Sequence, residues 1–166
     1  IPATGEKLPV IGVGTNSFRE SNYADVVAVL KRMAELGSSL IDTAASYGES
    51  EAVIGRALTE LKLRDRMFIS TKFNAARKGW QPDEIAGNDS FERSLARLQT
   101  DHVDLLEVHR VGGLDDLMPL MREYKKAKKI RYLGVTTFRT EEHAAIADAL
   151  RKHPMDFIQI DYSLAN

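Results

Sequence analysis

Four residues of different chemical type fall at comparable places along this chain. Asp42 closes the apolar run Leu40-Ile41, and Tyr47 follows five residues on, in the loop Ala44-Ala45-Ser46-Tyr47-Gly48. Lys72 ends Ser70-Thr71-Lys72, and His109 ends Glu107-Val108-His109. A carboxylate, a phenol, an amine and an imidazole are side chains that proteins use to hold and move protons. Singly, each has an ordinary explanation: an Asp opening a loop is a cap, a loop Tyr packs, a lone Lys is a solvated charge. Four of them on consecutive strand ends are a less ordinary coincidence, and a fold that gathers strand ends would bring them to one pocket.

Short β-branched runs alternate with longer amphipathic stretches along the whole chain. Strands are expected at Pro9–Val13, Ser39–Thr43, Met67–Thr71, Val103–Val108, Ile130–Val135 and Phe157–Ile160. Helices are expected at about Asn22–Leu36, Ser50–Leu61, Asp83–Leu98, Leu114–Lys128 and Thr140–Lys152. Gly37 reads as the C-terminal cap of the first helix, Ser50 as a cap of the second and Pro82 as the first turn of the third; Thr140 with Glu141 and Glu142 opens the fifth. Such repetition builds parallel βαβ units. No linker or charge block divides it, so residues 1–166 read as a single domain. Thr4-Gly5-Glu6 reads as the turn of a small hairpin lid.

Composition narrows the partners. The 166 residues are 43% hydrophobic and 28% charged, as in a soluble globular chain with a sizeable core. Lys plus Arg number 23 against 24 for Asp plus Glu, a formal charge of -1, which removes the electrostatic footprint of a nucleic-acid or anionic-membrane binder. Without cysteine there is no disulfide, thiol nucleophile or thiolate metal site. No apolar run approaches the roughly 20 residues that span a bilayer. The cytoplasm is the default location, and because residue 1 is Ile rather than Met, export to the periplasm stays open.

Two α/β architectures suit the alternation, an open doubly wound sheet and a closed (β/α)₈ TIM barrel. The segment Gly12-Val13-Gly14-Thr15-Asn16-Ser17 lacks the third glycine of a dinucleotide fingerprint. Asp42, Lys72, His109, Thr136 and Gln159 each sit at or near the C-terminal end of a different strand, the catalytic face of a barrel, and this favours the barrel.

The order Gly12-x-Gly14-Thr15, Asp42-Thr43-Ala44-x-x-Tyr47-Gly48, Ser70-Thr71-Lys72, Asp104-Leu105-Leu106-x-x-His109, Gly134-Val135-Thr136 and Gln159-x-x-Tyr162 closely resembles the aldo-keto reductase family. The resemblance runs the length of the chain. It implies a (β/α)₈ barrel that reduces aldehydes and ketones with NADPH, or less often NADH. It also implies Tyr47 as general acid, Lys72 and Asp42 as its tuning partners, and His109 as the group that orients the carbonyl. Cofactor contacts would come from Gly14, Thr15, Asn16, Asp42, Thr136, Thr137 and Gln159, with no metal. Where the family often has Gly-Val-Ser-Asn-Phe, this chain reads Gly134-Val135-Thr136-Thr137-Phe138, a hydroxyl in place of an amide at Thr137. Arg110 also departs from the aromatic or Asn common there, and reads as a solvated rim residue.

The chemistry fits those roles. Hydride arriving at a carbonyl carbon leaves charge on oxygen, which needs a proton donor and a stabilising dipole or cation. A close Lys72 ammonium should lower the phenol pKa, and a neutral His109 could donate to the same oxygen. A metal-dependent hydrolase using Glu107, His109 and Asp42 is an alternative, as is a non-catalytic dinucleotide-binding module. The resemblance implies a small carbonyl compound as substrate. Six strands are legible where such a barrel needs eight, so the working protein is expected to extend roughly 100 residues beyond Asn166.

Overall fold

Alternation of strand and helix resolves into a sheet whose strands pair in chain order. The computed structural model describes residues 1–74 and 88–162. Within them β1 (Val13–Gly14), β2 (Leu40–Asp42), β3 (Phe68–Phe73), β4 (Val103–Val108), β5 (Ile130–Thr137) and β6 (Phe157–Ile160) form one parallel sheet in the order β1-β2-β3-β4-β5-β6. The helices are α1 (Tyr23–Glu35), α2 (Ser50–Leu61), α3 (Asn88–Leu98), α4 (Leu114–Lys126) and α5 (His143–Lys152). A doubly wound sheet reverses its order at a switch point. This one never reverses, and singly wound parallel strands are the beginning of a barrel.

Period-two alternation gives the sheet two different faces. Ile41, Ile69, Leu106, Leu133 and Val135 join the core beneath the helices, with Leu30, Ile54, Leu58, Phe91, Met118 and Met121. On the inner face Phe68, Leu105 and Tyr132 cluster with Leu40 and Phe157. Two residues further along the same strands, the inner face turns polar and carries the site. Covered on both sides, β3 and β4 are buried at every position. Gly37, at φ 77°, terminates α1 as expected. Gly55 lets α2 and α3 approach closely: a Cβ there would lie 2.3 Å from the Arg97 carbonyl oxygen.

Several local expectations change. The first strand is shorter than Pro9–Val13 because its partner β2 offers three residues; Val10 and Ile11 stay exposed. Ser50 is the first residue of α2 rather than its cap, and its hydroxyl bonds Thr15 and Thr43 instead. The fifth helix starts at His143, after a 3₁₀ turn over Thr140–Glu142. Thr4-Gly5-Glu6 makes a turn and no hairpin. That segment closes the end of the inner face remote from the site, with Glu6 accepting hydrogen bonds from Tyr132 and Arg131, both at 2.5 Å, and Ile1 and Leu8 packed on Phe68, Leu105 and Tyr132. Trp80 and Pro82 lie outside the described residues. No helix among those described is long and apolar enough to cross a membrane.

Candidate active site

The C-terminal ends of β2, β3 and β4 bring three of the expected residues, Asp42, Lys72 and His109, together, and the loop after β2 adds Tyr47. Register pairs Asp42 with Ser70 and Lys72 with Glu107, so Asp42, Lys72, Glu107 and His109 all project from the inner face. The Lys72 ammonium, 2% exposed, donates to Asp42 Oδ1 at 2.5 Å and to the Thr43 carbonyl at 3.0 Å. A buried cation is tolerable only when so satisfied.

Tyr47 is delivered by the loop between β2 and α2. Ala45 N–H donates to the Lys72 carbonyl at 3.1 Å, Tyr47 N–H to Ala44 at 3.0 Å, and Ser50 N–H to the Tyr47 carbonyl at 3.2 Å. The Arg19 guanidinium ties this loop to the one after β1, donating to the carbonyls of Asn16 and Phe18 at 2.7 Å and of Tyr47 at 3.3 Å. The Tyr47 ring lies 5.5 Å from Lys72 Nζ and meets the His109 ring edge-on, centroids 5.8 Å apart at 74°. His109 Nδ1 is 3.3 Å from the Ser46 hydroxyl.

Electrostatics differ from the expected tuning. Burial, with the Asp42 and Glu107 carboxylates, raises the Tyr47 phenol above its ordinary pKa. A lone ammonium would lower it, but Asp42 offsets the Lys72 charge, and desolvation then decides the direction. Burial, with the cations of Lys72 and Arg110, lowers His109 to about 4, so the imidazole is neutral at pH 7.

The remaining expected residues divide. Gly14 faces open space, since a Cβ there would meet nothing within 4 Å. Asn16 is exposed beside it. Thr136 and Gln159 are register partners on the inner face, and Gln159 Oε1 is buried without a hydrogen-bond partner. Thr15 and Thr137 have committed hydroxyls. Thr15 donates to the Asp42 carbonyl at 2.9 Å and accepts from Ser50 at 2.7 Å. Thr137, on the helix-side face, donates to Glu142 at 2.6 Å and accepts from Arg139 N–H at 3.1 Å. Arg110 is exposed. Among the described residues no three His, Asp or Glu side chains are grouped to hold a metal ion, so the alternative trio of Asp42, Glu107 and His109 does not assemble as ligands.

Sequence reasoning placed Glu107 beside His109 but gave it no part in the proton chemistry. It is 1% exposed, accepts from Ser70 Oγ at 3.1 Å through Oε2, and has no partner for Oε1. Arg19 and Ser46 were also missed; nothing in their local sequence marks them.

A singly wound parallel sheet with a buried Lys72 ammonium on Asp42, a phenol and an imidazole at its C-terminal edge defines the α/β-barrel class. The chain belongs to the aldo/keto reductase family, whose model matches residues 10–166. It is 32% identical over 179 residues to the aldo-keto reductase YhdN of Bacillus subtilis, covering 99% of this chain and 53% of that protein. It is 30% identical over 207 residues to protein tas of Escherichia coli, covering 100% of this chain and 60% of that protein. A Klebsiella pneumoniae aldo-keto reductase solved in complex with NADPH superimposes with a TM-score of 0.79 at 30% identity, over 96% of this chain and 56% of that one. The chain thus spans a little over half the length of these relatives.

Proposed function

We propose that this chain contributes the proton-transfer half of a nicotinamide-dependent carbonyl reductase, with Tyr47 as the general acid. The observation that carries the reading is the buried Lys72–Asp42 pair with the Tyr47 and His109 rings against it. NADPH fits the residues present: the buried, unpartnered Gln159 oxygen is an acceptor that a carboxamide N–H satisfies, and the open face of Gly14 admits a ligand. Asp42, Thr136, Gln159, Gly14 and Asn16 would hold it, with Thr15 and Thr137 supporting from behind. Thr15 secures the Asp42 backbone, and Thr137 secures the turn before α5.

A bound reduced nicotinamide supplies the hydride that adds to the carbonyl carbon. Tyr47 gives its phenolic proton to the carbonyl oxygen, completing the alcohol, and the phenolate regains a proton from solvent. The Tyr47 phenol, its pKa above the ordinary value, carries its proton at neutral pH and stands as the donor. Lys72 stabilises the transient phenolate. The Ser46 hydroxyl lies 3.3 Å from Nδ1; by donating there it would leave the His109 ring proton on Nε2, where it can bond the substrate oxygen. Likeness to the NADPH-bound Klebsiella structure supports the cofactor assignment.

Loss of NADPH absorbance on adding a simple aldehyde to the full-length protein tests the reading. Aldehyde-dependent oxidation is expected; binding of NADPH without turnover would favour a dinucleotide-binding module.

A further inference from the structure

We propose that Glu107 is a positioning residue that sets the charge around the Tyr47 acid: protonated, it leaves the Asp42–Lys72 pair electrically balanced, and ionised, it adds a second carboxylate beside the phenol. The inference rests on the carbonyl-reductase reading and concerns a residue that touches neither substrate nor cofactor in it.

Geometry supplies the argument. Glu107 is the register partner of Lys72 on one side and of Gly134 on the other, so its carboxyl lies on the inner face between β3 and β5. It is 1% exposed, and of its two oxygens only Oε2 is bonded, by the neutral Ser70 hydroxyl. The Lys72 ammonium is already engaged by Asp42 and the Thr43 carbonyl. An ionised carboxylate with one hydrogen bond in such a place is poorly solvated, and burial disfavours it far more than the neutral acid.

Among the described residues the groups that face it are few. β3 presents Lys72 and Ser70, β2 presents Asp42, the following loop presents Tyr47, and β4 itself presents His109. β5 and β6 offer the uncharged Gly134 and Phe157 at its level, while Asp161 beyond β6 is paired with His143. Burial, opposed by Lys72 and reinforced by Asp42, pushes Glu107 up to about 7, and its charge is one cause of the raised Tyr47 phenol. Near neutrality, therefore, one proton on Glu107 decides whether phenolate forms beside one carboxylate or two.

The test is the pH profile of kcat for NADPH-dependent aldehyde reduction by the full-length protein and its Glu107→Gln variant. The parent rate is expected to fall about tenfold between pH 6 and 8 as Glu107 ionises, while the variant holds its rate across that interval. The same fall in the variant would overturn the inference and leave the functional reading intact. Absence of any reduction by the parent would remove the reading and the inference together. If the variant does not fold, the carboxyl carbon NMR shift of Glu107 in the parent decides. Titration near 7 supports the inference, and titration near 4.5, the ordinary value, overturns it.

Discussion

The Asp42 carboxylate holds the Lys72 ammonium at 2.5 Å from the adjacent parallel strand, yet the two partners are unequally buried, 23% exposed for Asp42 and 2% for Lys72. Removing the carboxylate strands a cation in the interior, whereas removing the cation leaves a carboxylate that water can reach. Asp42→Asn is therefore expected to destabilise by about 3 kcal/mol, and Lys72→Met by less. Chemical denaturation of both variants checks the order; the reverse order contradicts the burial argument.

The pH dependence of stability has a sign that follows from burial. Glu107, raised from 4.5 to about 7, retains its proton longer when folded, so the stability it contributes is present below pH 4.5 and lost as pH rises to 7. His109, lowered from 6.5 to about 4, acts oppositely: its contribution is present above pH 6.5 and lost as pH falls to 4. Glu107→Gln should thus gain about 3 kcal/mol on the parent between pH 4.5 and 7. His109→Gln should gain a smaller amount as pH falls from 6.5 to 4, since solvent screens its half-buried ring. Melts of each variant against the parent across this range measure both slopes.

Gly55→Ala tests the α2–α3 contact. The added methyl meets the Arg97 carbonyl oxygen at 2.3 Å and Leu98 backbone carbons at 2.6 and 2.8 Å, and since these are backbone atoms a shift of the helices is required. Overpacking of this kind costs about 1–3 kcal/mol. A lower melting temperature with unchanged turnover per folded molecule is expected; an unaltered melt would mean that the helices separate easily.

Much of this was legible because alternation is local. β4 and β6 run from Val103 to Val108 and from Phe157 to Ile160, as their apolar runs indicate, and the strand ends so located carried Asp42, Lys72 and His109 to one pocket. β1 was not legible, since its length depends on how many residues of β2 stand opposite. Glu107 was seen to share a face with His109, but its burial depends on β3 and β5 closing on either side. The raised Tyr47 phenol likewise depends on desolvation and on Asp42 answering Lys72. Thr137 looked like a cofactor contact by its place in a motif, yet one residue past Thr136 it points to the helices and bonds Glu142.

The most direct test of the account is Tyr47→Phe, measured as kcat for aldehyde reduction alongside the Kd for NADPH. The substitution removes the transferable proton and keeps the ring that packs on His109. The account predicts a fall in kcat of about 10² to 10⁴, with Kd changed by no more than a few-fold. Turnover near that of the parent, with NADPH still bound, would contradict it.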